Sequence, residues 1–153
     1  MNAERLEIAR RLVACKGWAW LPGMLRRNPR HPEAWQRIIA ASDPSQGGNV
    51  RISAACVERS ITGALTLPMV CEWVESVGDC FHVPDLDDDL TRLGVLAVVR
   101  RAWGDPCATT GKQWAREQWG VFVLERPDDA MAREFNGPTE EAALLAALEA
   151  APQ

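Results

Sequence analysis

Tyrosine is absent, and the 153 residues hold only two histidines and three phenylalanines. So little histidine leaves few groups to activate a nucleophile. His31 and His82 lie in no recognisable motif, and Cys80 or Cys107 would meet His82 only by an accident of the fold. There is no Gly-x-Ser-x-Gly elbow, no glycine-rich phosphate loop and no complete His-x-Glu…Pro-Cys-x-x-Cys deaminase pattern. Neither a Cys-x2-Cys pair nor a His-x3–5-His pair is present, so Cys71, Cys80, His82 and Cys107 carry no zinc spacing. These absences point to a non-enzymatic chain with no cofactor and no metal. Also missing is any run approaching the roughly 18 apolar residues that span a bilayer. The charged N-terminus lacks the apolar core of a signal peptide. The expectation is a cytoplasmic protein with no membrane partner. Five widely spaced cysteines, an odd number, fit reduced thiols acting as small hydrophobes.

What the chain does have is tryptophan, seven in all. Trp18, Trp20 and Trp103 sit at helix boundaries and Trp73 and Trp119 on apolar faces, so these five are expected to hold the fold together. Trp114 has no assignment. Trp35 stands among arginines. The net charge of −4 hides an asymmetry: residues 1–37 carry eight Lys and Arg against three acids, and the remainder is acidic. Arg26, Arg27, Arg30 and Arg37 cluster around Trp35, making 25–40 the candidate partner surface. The same residues would suit a nucleic acid, with arginines on phosphates and an indole on a base. Asp85, Asp87 and Asp89 imitate the start of a calcium loop, but Leu90 and Leu96 stand where the loop needs Gly and Glu. Carboxylates at the start of a helix explain that run.

The elements follow from periodicity. A helix is predicted over 3–15, with Asn2 as cap and Gly17 after its end. Trp18–Trp20 is extended and Pro22-Gly23 turns the chain. A short helix is predicted from Pro32 to Ala41, with Trp35, Ile38 and Ile39 inward, and a polar loop over 42–49. Residues 50–54 and 60–67 read as strands, and 68–78 as a short helix with Val70, Trp73, Val74 and Val77 on one face. The clearest helix is 88–103, with Leu90, Leu93, Leu96, Ala97 and Trp103 near one face and Gly104 as its stop. Residues 107–135 suggest a β-meander, whose 112–117 portion fits either a strand or one helical turn. Pro138 and Thr139 open a last helix to about Ala150. The expected fold is α+β: a small antiparallel β-meander, joined by Trp18–Trp20 and packed by the N-terminal, central and C-terminal helices. A single domain spans 1–153.

Three blocks occur together: Ala9 to Met24 with its Gly-Trp-Ala-Trp-Leu-Pro-Gly-Met, Pro84-Asp85-Leu86 through Ala102-Trp103-Gly104-Asp105-Pro106, and Gly137-Pro138-Thr139-Glu140-Glu141-Ala142 to Pro152. In this set the chain resembles a large group of small, uncharacterised proteins of tailed bacteriophages and prophages. The resemblance implies phage origin, a host-cell cytoplasmic setting and no established activity or site residue. Residues 25–83 fall outside it and form an elaboration within the domain. The resulting expectation is an accessory protein that contacts a host or phage protein, including interference with a host defence system or host enzyme. A nucleic-acid-binding protein using residues 26–37 and a self-assembling structural component are the other two readings.

Overall fold

Asn2 caps α1 (Ala3–Ala14) by accepting the Arg5 backbone N–H at 2.8 Å, which satisfies one of the donors a helix start leaves open. The computed structural model describes residues 2–41, 49–58, 69–76, 82–124 and 131–152, and only the backbone of 31–34, 49–58 and 69–76. Ile8, Ala9 and Leu12 form the buried face of α1. The helix stops before Gly17, because Cys15 is already extended at φ −67° and ψ 136°. Gly17 instead permits close approach: a Cβ there would lie 3.3 Å from the Ala102 Cβ and 3.5 Å from the Leu148 Cδ1. Trp18 and Trp20 meet edge to face, 5.4 Å between centroids, but join no sheet.

Five antiparallel strands follow: β1 (Leu25–Asn28), β2 (His31–Ala41), β3 (Asn49–Glu58), β4 (Met69–Ser76) and β5 (Val83–Pro84). Their order in the sheet is β4-β3-β2-β1-β5. Two predicted helices are therefore corrected. Residues 32–41 lie in β2, where Trp35 pairs with Arg27 on one side and Val57 on the other. Residues 69–76 are strand β4, paired with β3 along its length. Trp, Ile and Val at three- and four-residue spacing imitate a helix face, but β-branched and aromatic residues also suit a pleated sheet, and here the neighbouring strands decide. The predicted strand at 50–54 is part of β3. Of the predicted loop over 42–49, Asn49 belongs instead to β3, and residues 42–48, like the predicted strand over 60–67, lie outside the described residues.

Asp88 caps α2 (Asp89–Trp103), and Gly104 ends it in the left-handed region at φ 66°. The meander is a second sheet, β6 (Thr109–Gln113), β7 (Gln118–Val123) and β8 (Arg133–Gly137), in sequence order. Thr139 caps α3 (Glu140–Glu149), which packs on this sheet, on α1 and on α2. The architecture is α+β. At its centre Val95, Val98, Val99, Val121, Val123, Leu144 and Leu148 are buried together. The Trp103 indole N–H donates to the Ala147 carbonyl at 2.9 Å. The apolar surface of α2 divides: Leu96 and Trp103 are buried, whereas Leu90 and Leu93 face solvent, contrary to their expected place on the inner face.

Candidate interaction surface

The β1–β2 hairpin places the basic segment, and most of its charge turns inward. Arg26 is fully buried, with its Nε donating to the Gln36 Oε1 at 2.6 Å across the strand pair. Arg26 is thus removed from the expected partner surface. Arg27 donates from Nε to the Asp85 Oδ2 at 2.6 Å, and the Asp85 side chain is only 2% exposed. Arg37 grips Asp88 with both guanidinium nitrogens, at 2.9 and 3.0 Å, and also donates to the Gly23 carbonyl at 2.8 Å. Arg27 and Arg37 thereby tie the hairpin to the turn that starts α2. Burial pushes the Asp88 carboxyl up, but hydrogen bonds from Arg37 and Thr91 outweigh it and hold the group below the usual carboxylate range. Arg30 is exposed on the β1–β2 turn, where its backbone N–H donates to Asn28, and Trp35 is half-buried. The segment thus behaves as a clamp more than as an open basic face.

The acidic run is parcelled out in the same way. Asp85 meets Arg27, Asp87 meets Arg5, and Asp89 meets Arg92, so the three carboxylates address three different arginines. Among the described residues no three His, Cys, Asp or Glu side chains gather closely enough to hold a metal ion. The side chain of Cys71 and all of Cys80 lie outside the described residues.

An open groove of about 460 Å³ runs beside α1 and α3, lined by Cys15, Lys16, Gly17, Ala102, Leu148 and Pro152. Arg11 borders it and holds Glu149 with both oxygens engaged, at 2.7 and 2.8 Å. The Cys15 thiol donates to the Arg11 carbonyl, and burial pushes its pKa up, so it is a poor nucleophile at neutral pH.

The β6–β7 turn offers a different surface. Trp114 is 81% exposed at its head, the one tryptophan among those with a described side chain to face solvent fully. The Lys112 ammonium lies 4.9 Å from the indole centroid, within cation–π range. Arg116 is exposed two residues on, and its backbone N–H closes the turn onto the Gln113 carbonyl at 3.1 Å. Glu117 takes φ 51°, a left-handed conformation that ordinary side chains disfavour. Behind the turn, Gln113 donates to Glu134 across the middle strand. Gly120 makes that crossing possible, since a Cβ there would come within 3.0 Å of the Gln113 Nε2. Hydrogen bonds from Gln113 and Asn136 keep the Glu134 carboxyl below its ordinary range. An indole needs only two torsions fixed, so its contact area is available at small entropic cost.

Periodicity missed Trp114 because its exposure depends on the β6–β7 register, which alone turns 114–117 into a loop. Its neighbours Lys112, Gln113, Arg116, Glu117 and Gln118, all polar, were the available signal. Among the described residues no helix is long and apolar enough to cross a membrane. No protein-family model, no curated protein and no solved structure matches the chain.

Proposed function

We propose that this chain is a non-enzymatic accessory protein of phage or prophage origin that acts by protein–protein contact, with Trp114 as its anchor. The observation that carries the reading is an indole 81% exposed, braced by Lys112, on a hairpin fixed from behind by the Gln113–Glu134 bridge. Tryptophan anchors of this kind dominate binding energy when a partner pocket closes over them. The cations Lys112 and Arg116 suit an acidic rim around that pocket. A protein partner is favoured over a nucleic acid because Arg27 and Arg37 already hold carboxylates, and the chain as a whole is acidic.

The test is capture from nuclease-treated bacterial lysate with wild-type protein and with Trp114→Ala, followed by affinity measurement on the purified captured protein. The expected result is a protein partner whose dissociation constant rises at least about tenfold for Trp114→Ala. Equal affinity for both forms overturns the anchor, and binding that disappears with nuclease overturns the protein partner.

A further inference from the structure

We infer that the outer edge of β6 takes an extended segment of the protein partner as a fourth strand, with an acidic side chain at the end nearest Trp114. The inference deepens the protein-contact reading of the β6–β7 hairpin and rests on it. β6 is an outer strand of its sheet, whose order is β6-β7-β8. Among the described residues it pairs with β7 alone, from Thr109↔Phe122 to Gln113↔Gln118. In an antiparallel ladder, alternate residues turn their N–H and C=O groups away from the paired strand. β6 therefore presents a row of main-chain donors and acceptors outward. Those groups set the conformation of the occupant, because an extended backbone is what meets them in register.

Outer strands are commonly blunted by a proline, a bulge or a lysine reaching across the edge. β6 has no proline, and its pairing with β7 runs without a register shift. Its lysine, Lys112, is drawn over the Trp114 ring instead, 4.9 Å from the centroid. Continuity selects this edge over β8: a segment on β6 runs straight past the exposed indole, whereas β8 lies on the far side of β7. Charge selects the segment. An indole leaves the Lys112 charge unneutralised, and among the described residues no carboxylate pairs with it. An Asp or Glu set opposite Lys112 across the new strand pair supplies that partner. Arg116, which already acts on Glu134, adds to the positive field at the same end, while Thr109 leaves the other end uncharged. A second copy of this chain pairing edge to edge would bring no acid, since β6 itself carries none. The occupant is therefore a strand of a different protein.

Amide hydrogen exchange with synthetic peptides tests this. The probes are alternating Val and Thr sequences of about eight residues, one ending in Asp and one ending in Lys. At millimolar concentration the Asp peptide is expected to slow exchange of alternate amides in Thr109–Gln113 at least about tenfold. The Lys peptide should bind at least about fivefold more weakly. N-methylating one of the two alternate sets of nitrogens in the Asp peptide should weaken it at least about tenfold. No protection of β6, equal affinity for the two peptides, or indifference to both N-methylated sets overturns the proposal. So does protection of the same amides by self-association, seen as a mass rising above the 16.9 kDa of one chain. The captured partner separates this inference from the anchor. Weaker binding by Trp114→Ala with β6 unprotected removes the edge and keeps the anchor; protection with unchanged affinity keeps the edge and removes the anchor.

Discussion

Arg27 and Arg37 reach from neighbouring strands to two carboxylates just ahead of α2, and the two pairs differ in what they are worth. Asp85 is almost fully buried, so Arg27→Ala would leave its charge uncompensated. The expected loss is about 3 kcal/mol in a denaturant unfolding experiment. Asp88 is less enclosed and is best followed by pH. Its folded-state pKa lies below the unfolded one, which is about 3.9. Its contribution is therefore complete above about pH 4 and drains away as the pH falls through the lower, folded-state value. A wild-type melting temperature that drops more steeply than that of Asp88→Asn over this window is the expected outcome. Parallel curves would show that Asp88 contributes nothing. Trp114, in contrast, touches little of the fold, and its removal should shift stability by no more than about 0.5 kcal/mol. The arginines were visible in the sequence as a basic cluster, but their carboxylate partners, some 50 to 60 positions away, were not.

The elements divide by how local their causes are. Asn2, Thr139 and Gly104 bound their helices as the sequence reading expected, because a cap acts within three residues of itself. The meander and the last helix were legible for similar reasons: their alternation and turn residues are short-range. Strands β2 and β4 were read as helices, since what makes them strands is hydrogen bonding to β1 and β3 rather than their own spacing. Gly137 shows a further non-local demand. A Cβ there would lie 2.6 Å from the Ala143 backbone nitrogen and 2.9 Å from the Ala142 carbonyl carbon, so the strand must lack a side chain for α3 to settle on it. Because the obstruction is backbone, Gly137→Ala should cost at least about 2 kcal/mol, measured as a lower denaturation midpoint. Retained stability would mean that α3 can slide without penalty.

Across the whole molecule, the segment 25–83 supplies β1 to β4 and so builds most of the larger sheet. The charge asymmetry of the sequence is resolved in the same fold. Arg5, Arg11, Arg27 and Arg37, all from the basic N-terminal part, bridge to Asp87 and Glu141, to Glu149, to Asp85 and to Asp88. A basic end and an acidic body thus meet as ion pairs within the chain, which moves the proposed contact from the arginine cluster to the β6–β7 hairpin. In the sequence only the polar neighbours of Trp114 marked that hairpin's head, because its exposure exists only once β6, β7 and β8 are in register. The decisive quantity is the ratio of dissociation constants of Trp114→Ala and wild type for the protein isolated from nuclease-treated lysate. A ratio of about ten or more, with matching melting curves, is expected if Trp114 is the anchor. A ratio near one would contradict it.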